Sequence, residues 1–117
     1  MTKNYYVKKA EKLLEDLELY RSSLDYYAGI SECSALTLRQ HKEIAQKAKY
    51  ISRTVSAVDH ALTLLNETEH DVVTKLYFDK GMTFDDVCES CALERSSIYR
   101  YRASALKKIA KAIYGAV

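Results

Sequence analysis

The stretch that decides the fold is TFDDVCESCALERSSIYRYRASALKKI, Thr83 to Ile109. Phe84, Val87, Cys88 and Cys91 fall at i, i+3, i+4 and i+7, which gathers them on one face of a short helix. Thr83 suits the N-cap of that helix, and Asp85 and Asp86 occupy its first turn, where carboxylates favour the positive end of the helix dipole. Gly81 suits the left-handed end of the preceding helix. Ala92, Leu93 and Glu94 are about enough for a tight turn, after which Ile98, Tyr101, Ala105 and Ile109 resume a helical stripe that can pack on the first. The spacing predicts two helices, a tight turn and one small shared core.

A rotation of about 100° per residue places Ser96, Ser97, Arg100, Ser104 and Lys107 opposite Ile98, facing solvent or a ligand. Tyr99 flanks that surface, Arg95 stands at its edge, and Lys107 and Lys108 lie where such a helix would leave a groove. Arg102 points near the apolar stripe and has to snorkel out along its own stem, so it is not assigned to base reading. From Arg95 to Val117 the basic residues are Arg95, Arg100, Arg102, Lys107, Lys108 and Lys111, with no acidic residue among them, while the helix before carries Asp85, Asp86 and Glu89. Charge sorted in this way suits a helix laid in a nucleic-acid groove. The expected DNA-binding set is Arg95, Ser96, Ser97, Tyr99, Arg100, Ser104, Lys107 and Lys108. A plain helical hairpin with a basic last helix is the competing reading.

The segment GMTFDDVCESCALERSSIYRYRASALKKIA, Gly81 to Ala110, resembles the region-4-type helix-turn-helix of sigma factors. It resembles more closely that of phage late-transcription regulators of the ArpU/RinA type, in which a tyrosine-rich recognition helix runs into an Ala-Leu pair, here Ala105 and Leu106. HDVVTKLYF, His70 to Phe78, is similar to the helix that packs behind the motif in those proteins. The resemblance runs from Glu69 to about Tyr114. It implies sequence-specific binding of double-stranded DNA and activation of phage or prophage late or packaging genes, with Arg95, Ser96, Ser97, Tyr99 and Arg100 at the positions that touch bases and phosphates. Two positions depart from the family pattern: Ala92 stands where a glycine is common, and Glu94 stands where serine usually caps the recognition helix.

A chain of 117 residues has room for one real core, or for a small domain and an extension. With no proline and only Gly29, Gly81 and Gly115, the composition favours long uninterrupted helices over a turn-rich sheet, and an all-α fold is expected. No apolar run approaches the roughly 20 residues that cross a bilayer, and MTKNYYVKKAEK lacks the apolar segment of a signal peptide, so no membrane partner and a cytoplasmic location are expected. The net charge of +2 leaves nucleic-acid binding to local charge. Cys33, Cys88 and Cys91 are an odd set without an export signal, which argues against a disulfide framework. Cys88 and Cys91 have the spacing of half a zinc site, but both lie on the stripe of Phe84 and Val87, where they are expected as small core residues. Neither metal nor cofactor is expected.

Two apolar ladders organise the remainder. Tyr6, Ala10, Leu13, Leu17, Tyr20, Leu24 and Tyr27 repeat at alternating steps of four and three, and so do Ile44, Ala48, Ile51, Val55, Val58, Leu62 and Leu65. Each would span about 33 Å as a helix, so the pair can pack antiparallel along its full length. Ala28 to about Gln40 links them, and Thr37 with Gln40 makes a capping box for the second. The expected organisation is a helical hairpin over 1–66, serving as a homodimerisation arm, followed by a sigma-region-4-like helix-turn-helix over 67–117. Tyr6, Tyr20 and Tyr27 belong to the ladder, whereas Tyr5 and Tyr26 stand beside it with their hydroxyls in water.

Catalysis finds little support, because His41, His60 and His70 are scattered and Asp59 points about 100° away from its neighbour His60. No phosphate-binding glycine loop is present. A DNA-binding transcription regulator is therefore expected, with RNA polymerase as a second partner to consider. Two alternatives share its features: a small terminase subunit that marks phage DNA for packaging, and a helical adaptor that holds RNA polymerase through protein contacts alone.

Overall fold

The computed structural model describes residues 3–115. Among them the chain is all-α: α1 (Lys3–Ile30), α2 (Leu38–Thr63), α3 (Glu67–Val73), a π-helical turn (Thr74–Phe78), α4 (Phe84–Cys91) and α5 (Arg95–Tyr114). None of these helices is long and apolar enough to cross a membrane.

Helix starts are set by short polar side chains in the way the local sequence suggests. Thr37 accepts the Gln40 N–H at 3.1 Å while the Gln40 side chain accepts the Thr37 N–H at 2.8 Å, satisfying two donors that α2 would otherwise leave orphaned. Thr83 and Asp86 form the same reciprocal pair at the start of α4. So do Asn66 and Glu69 at the start of α3, a capping box that the sequence reading passes over. Gly81 has φ 91°, as expected of a left-handed helix exit.

The expected link from Ala28 to about Gln40 is shortened at its start, because α1 continues to Ile30, while α2 begins at Leu38 directly after its expected Thr37 cap. Tight turns fill the gap, through Ser31 to Tyr27, Cys33 to Ile30 and Leu36 to Cys33 backbone hydrogen bonds.

Two cores hold the chain. The larger takes Ala10, Leu14 and Leu17 from α1, Val55, Val58 and Ala61 from α2, Val73 from α3, and Ala105, Leu106, Ile109 and Ala110 from α5. It therefore joins residues on both sides of position 66. The smaller is Val72, Val87 and Ile98, flanked by Leu76, Met82, Phe84, Cys88, Cys91, Leu93 and Tyr101. Adjacent Val72 and Val73 thus serve different cores, which places α3 between them. The π-helical turn continues this division by sending Leu76 to the smaller core and Tyr77 and Phe78 to the larger. Nothing in the sequence spacing announces that turn.

Leu14 is the most buried leucine of α1 although it lies off the predicted ladder, while Leu13 on the ladder is half-buried. The reason is α5, which packs against α1 as well as α2 and gives α1 a second neighbour to face.

Candidate nucleic-acid interface

The turn from Cys91 to Arg95 sets the relation between α4 and α5. Ala92 takes φ 56° and ψ 42°, the left-handed conformation in which an L-residue with a Cβ is strained by about 1–2 kcal/mol. Its N–H closes on Glu89 and the Leu93 N–H reaches the Cys88 carbonyl, while the Leu93 side chain drops into the smaller core. Glu94 occupies the N-cap position of α5 with an extended backbone, φ −73° and ψ 160°, but its side chain makes no capping bond. A carboxylate one methylene longer than Asp reaches past the N–H groups that it would cap.

α5 has two environments along its length. Its second half is sunk in the larger core through Ala105, Leu106, Ile109 and Ala110, while in the first half only Ile98 is buried. Opposite Ile98 runs an exposed strip formed by Ser96, Arg100, Ala103 and Lys107, with Tyr99, half exposed at 50%, on its flank. Ser97 is half-buried at the side of that strip. Among the described residues neither Arg100 nor Lys107 has an ion-pair partner; Arg100 rests its guanidinium 5.4 Å from the centre of the Tyr101 ring.

Arg95 is tied to α4. Its guanidinium donates to Asp85 at 2.5 Å and lies 4.5 Å from the centre of Phe84, on whose ring Tyr99 stacks at 4.8 Å. Phe84 therefore anchors both edge residues. A phosphate drawing on Arg95 has to compete with Asp85, an exposed pair of modest strength.

Two further members of the expected set are engaged by Glu69 of α3, Ser104 half-buried and Lys108 still exposed along its side chain. Ser104, expected on the outward face, is half-buried and donates to Glu69 at 2.5 Å. Lys108, expected on a phosphate, donates to the other oxygen of Glu69 at 2.7 Å. Glu69 is 1% exposed and also accepts the Asn66 N–H, so its carboxylate has partners on both oxygens. Burial alone would push this carboxyl up; the hydrogen bonds from Lys108, Ser104 and the Asn66 backbone, with the Lys108 charge, outweigh it and hold the group below the ordinary carboxylate range. Ser104, Lys108 and Glu69 form a clamp of α5 on α3.

Arg102 snorkels as expected and finds Glu11 of α1 at 3.0 Å, and Glu11 also accepts the Tyr77 hydroxyl. Burial, and then the bond to Glu11, pushes the Tyr77 hydroxyl well above its ordinary value, so it stays a donor. Neither Glu69 nor Glu11 is singled out by the sequence reading. For Glu69 a signal exists, the Asn-x-x-Glu spacing of a capping box; Glu11 sits in an unremarkable charged run.

Cys88 and Cys91 pack against the smaller core, half-buried, with the Cys91 thiol 3.5 Å from Asp71. Burial and that carboxylate push the Cys91 thiol up, away from the reactive thiolate.

The expected set is thus divided. Ser96, Tyr99, Arg100 and Lys107 share one open surface with Ser97 and Arg95 at its margins, while Ser104 and Lys108 face α3. No protein-family model, curated protein or solved structure matches this chain.

Proposed function

We propose that α4 and α5 form a helix-turn-helix that binds double-stranded DNA with sequence preference. On this reading the chain is a transcription regulator of the sigma-region-4-like kind that its residues resemble, activating phage or prophage late or packaging genes. The observation that carries the proposal is the open strip of α5. It displays Ser96, Tyr99, Arg100 and Lys107 with no acidic residue on the helix, and the same helix is anchored in the larger core by its second half. A rigid support of this kind holds short hydroxyls and a forked guanidinium in fixed register against base edges.

Each exposed group has a separate task. Arg100 forks onto a guanine edge, Ser96 and Tyr99 contact base edges or phosphates beside it, Lys107 neutralises a phosphate further along, and Arg95 exchanges Asp85 for a phosphate. Ser104 and Lys108 support the helix from behind and leave the DNA-contacting set.

The test is selection of duplexes from a random pool, followed by titration of the selected and a scrambled duplex with variants. Arg100→Ala should cost about 1–3 kcal/mol on the selected duplex, much less on the scrambled one, and relax preference at one base pair. Lys107→Ala should weaken both alike and flatten the salt dependence. Failure to enrich any sequence, or an equal loss on both duplexes with Arg100→Ala, would replace the regulator reading with that of a charged clamp or a protein adaptor. Footprinting on phage DNA then separates promoter-proximal binding from binding at a packaging start.

A further inference from the structure

The hairpin of α1 and α2 changes character along its length. Near α5 it buries Ala10, Leu14 and Leu17 against Val55, Val58 and Ala61, whereas residues 18–54 contain no buried residue at all. The apolar ladder continues there nonetheless: Leu24, Tyr27, Ile44, Ala48 and Ile51 are only half-buried. Two helices alone cannot cover a shared seam on both sides. On one side of this seam lies a groove of about 510 Å³ lined by Leu24, Tyr27, Ala28, Ile44, Ala45 and Ala48. Small residues on its floor let another helix approach closely.

The rims of the groove carry opposite charge. Asp25 does not line the groove but is exposed one turn before the groove-lining Ala28, on the same side of α1, while Lys49 lines the groove on the α2 rim, with Lys42 two turns before it on the same side. Among the described residues none of these three makes an ion pair, although Arg21 and Arg39 nearby are both paired. We infer that the occupant of this groove is a second copy of the same chain, docked by the same groove to give a four-helix bundle.

The charges select the arrangement. A two-fold axis running along the hairpin lays α1 of one copy over α2 of the other, so that Asp25 of each protomer meets Lys49 of its partner. A two-fold axis across the hairpin would set α1 on α1 and bring like charges together. With the axis along the hairpin, both α4–α5 units lie at the same end of the dimer. This deepens the regulator reading, because paired recognition helices at one end read paired half-sites, but the docking itself requires no DNA.

Sedimentation equilibrium without DNA tests it with charge-swapped variants at these exposed positions, each checked for unchanged helicity by circular dichroism. The wild type should be a reversible dimer, and Asp25→Lys or Lys49→Glu alone should weaken self-association about tenfold, since each swap creates two repulsive pairs. An equimolar mixture of the two single variants should associate as heterodimers, because the Asp25→Lys copy then presents only cations at the paired positions and the Lys49→Glu copy only carboxylates. Ala45→Arg, at an exposed position in the groove, should block association outright. A wild type that is monomeric at the highest soluble concentration, or a dimer indifferent to all of these changes, would overturn the inference while leaving the DNA-binding test untouched.

Discussion

The larger and smaller cores hold α5 in different ways. Eleven buried residues from α1, α2, α3 and α5 make the larger one, while the smaller has only Val72, Val87 and Ile98 fully buried. α5 passes through both, so the direction of the exposed strip is fixed by the large core, and the small one only holds α4 and the turn against it. The orientation of Arg100 should therefore survive damage in the small core, whereas damage in the large one should remove fold and binding together.

Ile109→Ala gives the largest expected effect. Ile109 is fully buried where α5 packs on α1 and α2, so its truncation should cost about 2–5 kcal/mol in urea unfolding, a large share of the roughly 5–15 kcal/mol that holds an ordinary domain.

Glu69→Gln tests the clamp between the two cores. It removes a buried carboxylate from Lys108, Ser104 and Asn66, and about 2 kcal/mol of destabilisation is expected, moderated because Lys108 is 43% exposed and can return to water. The pH dependence has a definite sign. The carboxyl of Glu69 is held below its ordinary value in the fold, so its contribution is fully present above the unfolded carboxylate range, about pH 4.3, and is lost as pH falls through the lowered folded value. Unfolding curves taken down the acid limb should fall more steeply for the wild type than for the variant; parallel limbs would remove Glu69 from the clamp.

Replacing Cys88 and Cys91 together by Ala probes the small core alone. Both thiols are half-buried, and about 1–2 kcal/mol should be lost by thermal melting with duplex binding kept within a few-fold. A much larger loss of binding would show that α4 orients the strip after all.

The smallest effect is a gain. Ala92→Gly relieves about 1–2 kcal/mol of left-handed strain at a cost of about 0.4–1 kcal/mol in added unfolded-chain entropy, so roughly 0.5–1 kcal/mol of net stabilisation is expected from a denaturant midpoint. Ala92 is exposed, so no packing is lost. A destabilised variant would mean that the turn relaxes when its Cβ is removed.

The helix starts at Leu38, Phe84 and Arg95, the exit at Gly81 and the two apolar ladders were legible because each depends on neighbours within one or two turns. Which part of the ladders stays within the chain and which is left for the expected homodimer seam was not legible. Leu17 and Val55, both on the ladders, are buried within the chain, and the part of the ladder without buried residues begins beyond Leu17. Local periodicity shows that a residue seeks cover; it does not show which element supplies it.

The sequence by itself determined an all-α chain, its helix boundaries to within a few residues, and a last helix without acidic residues. Only the tertiary structure decided how that helix uses its charge. Glu69 lies 35 and 39 residues from Ser104 and Lys108, and Glu11 lies 91 residues from Arg102. Those carboxylates turn two cations and a serine toward α3 and α1 and leave Arg100 and Lys107 open. Side chains on one helix wheel are equivalent until the fold brings distant charges to one side of it, and Coulomb attraction in a partly buried setting then sorts them.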